Sequence, residues 1–288
     1  MKDMKKLIKS NLCLTRFSLV ELLVVMAIFA ILLGLLMPAL RSSLGTARSI
    51  ACAKNLQGIG GTTSQYIPDY DGRYPVAACV TGISWDDLLS RYDGRNLTNA
   101  QMIEGGEWGP AVNQLPNGSE HGPHYRCPSD LRANPIRWGT TTTEGVKKSY
   151  SPTQAEIFPN GNVDRSILGI IGIIRINQNV NPPFSRYESS LSKAGTTIIF
   201  TENHLDYTGD SYCGPGSTLG SSARLGNVRA SWLPNPANPV HGIGGYLYNF
   251  LMADGHVANM LLQETLVKDD GTMATTPDVR GSMWDATR

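Results

Sequence analysis

Charge is scarce in this 288-residue chain and nearly balanced, with 25 Lys/Arg against 24 Asp/Glu for a formal net charge of +1. With neither a basic patch nor a nucleic-acid motif, DNA and RNA are not predicted as partners. Catalytic signatures are missing as well. Glycine is plentiful at 30 residues, yet no G-x-x-x-x-G-K-[ST] loop and no strand-led dinucleotide fingerprint occurs, so any nucleotide-driven step falls to another protein. No H-E-x-x-H helix or G-x-S-x-G elbow frames the five histidines, and the chain reads as a non-enzyme. Hydrophobic residues make up 41%, which argues against global disorder. The length suits an N-terminal segment plus one sizeable globular domain or two small ones.

What the chain does have is one long apolar run, Phe17 to Ala39, with a single charge, Glu21, near its start. These 23 residues, at ~1.5 Å each, are enough to cross a hydrocarbon core of ~30 Å. The run exceeds the ~7–15 residues of a secretory signal core and lacks a small-x-small cleavage site after it. A plain membrane anchor is physically adequate but gives no reason for Glu21, because an unpaired carboxylate costs roughly 2.5–3.5 kcal/mol near the centre of a membrane helix. Residues 1–16 hold five of the basic residues (Lys2, Lys5, Lys6, Lys9, Arg16) and one acid (Asp3), leaving 20 basic and 23 acidic residues for the rest. The basic end is therefore expected to stay cytoplasmic and the mildly acidic bulk to be exported.

Phe17-Ser18-Leu19-Val20-Glu21 followed by the apolar run resembles the N-terminal processing signal of type IV pilins and type II secretion pseudopilins. Glu21 matches the Glu at the fifth position of the mature family chain, and Pro38 the Pro often found at the twenty-second. The resemblance implies cleavage by a prepilin peptidase between Arg16 and Phe17 and N-methylation of Phe17. The family has Gly before the cut where this chain has Arg16, which implies slower cleavage or an adapted enzyme. Beyond the helix the chain is similar to a subgroup of large pseudopilin-like proteins. The shared features are Cys52 with Asn55-Leu56, the stretch Tyr66 to Pro75, Cys127-Pro128, and a C-terminal Asp254-Gly255. In that subgroup a His precedes the Asp-Gly by a nine-residue spacer; here the nearest upstream His, His241, has a spacer of twelve.

The resemblance implies a structural subunit in the bacterial inner membrane, single-pass, with a cytoplasmic N-terminus and a periplasmic or otherwise extracytoplasmic domain. It would assemble into a fibre of a type II secretion or related system. The implied partners are the peptidase, copies of itself and other pseudopilins, and an inner-membrane assembly platform with its ATPase. Within the fibre, Glu21 would pair with the N-terminal amine of a neighbour. The competing expectation is a membrane-anchored binding or hydrolytic ectodomain carrying a pilin-type leader.

Four segments follow: a leader 1–16, a membrane or polymer-core helix 17–40, an amphipathic extension 41–67 and a globular domain 68–288. One long helix is predicted from Phe17 into the mid-sixties, kinked at Pro38, which removes a backbone hydrogen bond. It should fray near Gly58, Gly60 and Gly61, each ~1 kcal/mol worse than Ala in a helix. Residues 68–160 read as loops with short elements, including a turn or two of helix at Trp85 to Leu89. Strands are predicted at Ile167 to Ile176, Thr196 to Thr201, Tyr246 to Ala253 and His256 to Leu262. Asp254-Gly255 would join the last two as a two-residue hairpin with φ > 0 at both positions. Three or four antiparallel strands packed on the outer half of the helix give an α+β class, and the resemblance implies the pilin-like version of it.

Cys13 lies in the leader, leaving Cys52, Cys79, Cys127 and Cys213 outside, an even number in a disulfide-permissive space. Four cysteines allow three pairings; Cys52 and Cys127 are the disulfide candidates, since that bond would tie helix to domain, and reduced buried thiols are the alternative. His121-Gly122-Pro123-His124 is not a helical metal pair. His204, His241, His256, Glu202 and Asp254 fall near predicted strand ends without a catalytic motif around them. No cofactor or metal is assigned. The resemblance leaves room for a structural calcium bound by loop oxygens, since some pseudopilins use one, and Asp69, Asp71, Asp86 and Asp87 are too weakly patterned to assign to it.

Overall fold

A computed structural model describes residues 18–76, 85–99, 102, 125–129, 149–157, 163–172, 185–202, 241, 247–275 and 278–288. The chain divides between Leu44 and Gly45 into two units. The first helix, α1, runs Leu19–Asp69 and is helical straight through Pro38. In the first unit its residues from Leu22 to Leu40 are apolar on every side, and all of those from Ser18 to Leu44 are exposed.

In the second unit α1 turns one face inward. Cys52, Leu56, Ile59, Thr63 and Tyr66 are buried, at alternating spacings of four and three that line one side of a helix. The expected fraying does not occur, because tertiary contact overrides propensity. Gly60 is buried, and a Cβ there would come within 3.0 Å of Leu251 Cδ1; glycine lets helix and strand approach closely at this point. The helix stops where Asp71 (φ 53°) and Gly72 (φ 75°) turn left-handed, and the Gly72 N–H closes the end on Ile67 O at 2.9 Å. Next come a short helix α2, Trp85–Leu88, and a 3₁₀ turn, Leu89–Arg91.

Opposite α1 lies a four-stranded antiparallel sheet built from β1 (Tyr150–Pro152), β5 (Ile198–Glu202), β6 (Leu247–Met252) and β7 (Val257–Leu261), in that order. A smaller sheet has the order β3 (Val163–Leu168), β2 (Gln154–Ile157), β4 (Ile171–Gly172), with β2 antiparallel to β3 and parallel to β4. The α+β class is thus observed. The single strand expected over Ile167 to Ile176 is instead broken: β3 ends at Leu168 and β4 starts at Ile171, while 173–176 lie outside the described residues. Gly169 explains the break. A Cβ there would sit 2.4 Å from the Thr153 carbonyl carbon, and Ile170 N–H bonds Thr153 O at 3.0 Å, so the chain bends against that backbone instead of extending.

The β6 strand alternates cleanly. Leu251 joins the cluster of Leu56, Ile59, Trp85, Tyr150 and Phe200 beneath α1. Tyr248, Phe250 and Met252 face the other way, into a second cluster closed by Val279 and Trp284. A register shift between Ile198 and Phe200 lets β5 send Ile198 to the second cluster and Phe200 to the first. The final segment is anchored by Trp284 Nε1–H to Thr265 Oγ1 at 2.8 Å and by Ala286 N–H to Leu168 O at 2.9 Å. Thr265 closes a short helix, α3 (Leu262–Thr265).

The β6–β7 turn differs from expectation in its backbone. Gly255 alone has positive φ, 89°. Its N–H bonds Met252 O at 2.9 Å, while Met252 N–H bonds His256 O at 2.9 Å. This is a three-residue loop with Gly in the left-handed position, and Asp254 stays on the ordinary side of the map because the bulge supplies the twist that a second positive φ would have given.

Candidate functional site

Two features stand out, one in each unit. In the first, α1 begins with a reciprocal cap. Ser18 Oγ accepts from Val20 N–H at 3.2 Å, and Glu21 Oε2 accepts from Ser18 N–H at 2.8 Å. Ser-x-x-Glu at a helix start is a capping box that satisfies two of the otherwise unpartnered N–H groups. Glu21 therefore also has a local role that the run of apolar residues around it concealed. Seventeen large apolar side chains between Leu19 and Leu44 are exposed. At ~1.5–3 kcal/mol for each such side chain removed from water, the total at stake is on the order of tens of kcal/mol, beyond the ~5–15 kcal/mol that holds a domain folded. Such a surface calls for an apolar surrounding. The helix is long and apolar enough to cross a membrane.

In the second unit, a polar cluster lies buried beneath α1. Cys52 of α1 is disulfide-bonded to Cys127. Against the bond lies Cys127 Sγ's neighbour His241, with Nε2 3.9 Å from that sulfur and 2.8 Å from Glu202 Oε1. Cys127 Sγ is also 3.9 Å from Glu202 Oε1. Glu202, at the end of β5, is held on both oxygens by Asn249: the backbone N–H reaches Oε2 at 2.9 Å and the side-chain amide Oε1 at 2.8 Å. The His241 Nδ1 lies 3.3 Å from Ser129 Oγ. All of these side chains except that of Ser129, at 9%, are within a few per cent of complete burial, so the low dielectric strengthens each contact. Burial, and after it the Glu202 charge, pushes the Tyr248 hydroxyl on β6 well above the ordinary phenol value, which keeps it neutral. The Asn55 side-chain amide bonds Arg126 O at 2.8 Å and so fixes the loop that presents Cys127.

The carboxylates and histidines near the strand ends thus separate into two pairs. Glu202–His241 is buried, whereas Asp254–His256 sits exposed on the hairpin, with Asp254 Oδ1 2.6 Å from His256 Nδ1. Asp86 pairs with Arg95 at 3.6 Å, and Asp69 accepts from Tyr92 O–H at 2.6 Å. Arg16, Phe17, Cys13, Cys79, Cys213, His121, His124 and His204 lie outside the described residues. Sequence reasoning missed Asn249 and Ser129. The signal for Asn249 was a lone amide inside the apolar run LYNFLM, because a buried amide must find partners.

These elements define a class: a chain with one helix fit to span a membrane and an α+β domain whose four-stranded antiparallel sheet packs on the distal part of that helix. Comparison with protein-family models, curated proteins and solved structures finds no match to the chain.

Proposed function

We propose that the chain is a pseudopilin or type IV pilin-like structural subunit, made as an inner-membrane precursor and assembled into a fibre through its N-terminal helix. The observation that carries this reading is the fully exposed apolar half of α1 with Glu21 as its one early carboxylate. Lipid covers that surface in the precursor, and the same helix of neighbouring copies covers it in the fibre, where close van der Waals packing replaces lipid contact. Glu21 then exchanges its bond to Ser18 N–H for the amine of an adjacent subunit, so that each charge has a partner away from water. A prepilin peptidase frees that amine by cutting between Arg16 and Phe17. Assembly energy comes from a separate ATPase, and the chain itself catalyses nothing.

The test has two readouts. Mass spectrometry of protein from native membranes should find an N-terminal peptide beginning at N-methylated Phe17. Glu21→Gln should insert and fold as the wild type does, yet fail to enter fibres sheared from cells. A peptide beginning at Met1, together with undiminished assembly of Glu21→Gln, would overturn the proposal in favour of a permanently anchored ectodomain.

A further inference from the structure

The buried cluster in the second unit brings together two sulfurs, an imidazole and a carboxylate, with every ligand atom within 4.8 Å of the others. We propose that Cys52, Cys127, Glu202 and His241 form a zinc site in the reduced protein, and that the Cys52–Cys127 disulfide is the oxidised, metal-free form of the same site. The inference is independent of the fibre-forming role.

Donor chemistry selects the metal. Two thiolates, one imidazole and one carboxylate are a four-ligand set suited to tetrahedral zinc and foreign to calcium or magnesium, which take oxygen. At zinc bond lengths of ~2.0–2.3 Å, ligand atoms around a tetrahedron stand roughly 3.3–3.8 Å apart. Cys127 Sγ already lies 3.9 Å from His241 Nε2 and from Glu202 Oε1, and those two lie 2.8 Å from each other. Small closures, one opening of about half an ångström, and separation of the two sulfurs complete the shell. The supporting contacts are also in place. Ser129 Oγ beside Nδ1 orients the ring with Nε2 toward the sulfurs, and Asn249 holds the carboxylate by both oxygens; such outer partners fix ligand orientation and tune affinity.

A dithiol reductant delivers two electrons and two protons to the Cys52–Cys127 bond, giving two thiols, and leaves as its own disulfide. Zn²⁺ then displaces both thiol protons; the Nε2 proton that bridges to Glu202 leaves to solvent as the His241 imidazole takes one up at Nδ1 beside Ser129 Oγ, and the freed Nε2 lone pair and Oε1 of the Glu202 carboxylate bind the ion. A disulfide oxidant reverses the sequence and releases the ion. In either form Cys52 on α1 stays tied to the loop at Cys127 and, with zinc, to β5 as well.

The experiment uses the full chain in detergent with Cys13→Ser, Cys79→Ser and Cys213→Ser, so that only Cys52 and Cys127 can supply thiolates. After reduction with a phosphine and anaerobic removal of the reductant, Zn²⁺ and, separately, Co²⁺ are added. Expected are one zinc per reduced chain and none per oxidised chain, a higher melting temperature with zinc in the reduced form only, and a cobalt spectrum with thiolate charge-transfer bands and intense tetrahedral d–d absorption. Glu202→Gln and His241→Ala should abolish stoichiometric uptake, and Asn249→Ala should weaken it roughly 10–100-fold. Equal zinc content in reduced and oxidised chains would overturn the proposal. So would a cobalt spectrum without thiolate bands, or unchanged uptake by folded His241→Ala. Should His241→Ala not fold, the cobalt spectrum of the background protein decides alone.

Discussion

From Ser18 to Arg48 every residue is exposed, whereas between Cys52 and Ile67 the same helix buries eight. Both stretches are helical and both contain leucine and isoleucine, but they differ in how much apolar surface they carry and in how it is arranged. From Leu22 to Leu40 the helix is apolar around its whole circumference and leaves no polar face to turn toward water. In the second, Cys52, Leu56, Ile59, Thr63 and Tyr66 form one stripe, while Lys54, Gln57, Gly61 and Ser64 remain exposed. A stripe can be matched by a sheet; a full apolar cylinder can be satisfied only by a surrounding of its own kind. Within one helix, hydrophobicity marks what must be covered, and periodicity marks what the chain covers by itself.

The sharpest way to break that contrast is a matched pair of truncations. Leu56→Ala should lose roughly 2–5 kcal/mol, while Leu32→Ala should change stability by less than ~0.5 kcal/mol. Denaturant unfolding of the full chain in detergent compares them, and equal losses would erase the distinction. A finer probe uses neighbouring glycines. Nothing lies within 4 Å of a Cβ at Gly61, whereas one at Gly60 meets Leu251. Gly61→Ala should therefore stabilise by up to ~1 kcal/mol through helix propensity, and Gly60→Ala should gain less or lose, as thermal melts of the two side by side will read. The smallest effect belongs to the exposed hairpin. Slight burial raises the Asp254 pKa, but hydrogen bonds and charge from His256 outweigh it and leave the group below its ordinary value. Its contribution is thus present above the unfolded carboxylate pKa of ~3.9 and fades as pH falls through the lower folded value. Asp254→Asn should cost under ~0.5 kcal/mol near neutral pH because the pair is solvated, and its difference from the wild type should vanish in acid.

Much of this architecture was legible because strong local patterns coincide with what the tertiary structure needs. The apolar run, the β-branched stretch Thr196 to Thr201 and the Asp-Gly turn each declare themselves over a few residues. The misses have a common cause. Gly58, Gly60 and Gly61 looked like a weak helix end, but a close helix–strand approach rewards small residues there. The β-branched run after Ile167 looked continuous, but Gly169 was needed where backbone crosses Thr153. β1 and β2 fell in a stretch rich in turn residues, and Tyr150-Ser151-Pro152 becomes a strand only by pairing with β5. The buried cluster was least legible of all: Glu202 is 39 residues from His241 and 47 from Asn249, so no local spacing connects them.

The closure of the second hydrophobic cluster by Val279 and Trp284 also sets a clock. Synthesis at ~5–20 residues per second places the roughly thirty residues between Met252 and Trp284 a few seconds behind β6. During that interval Tyr248, Phe250 and Met252 can meet Leu168 and Ile198 upstream but not yet Val279 and Trp284. The domain is therefore vulnerable late in its synthesis, and a chaperone that shields one face of a sheet until Val279 and Trp284 arrive would raise its yield.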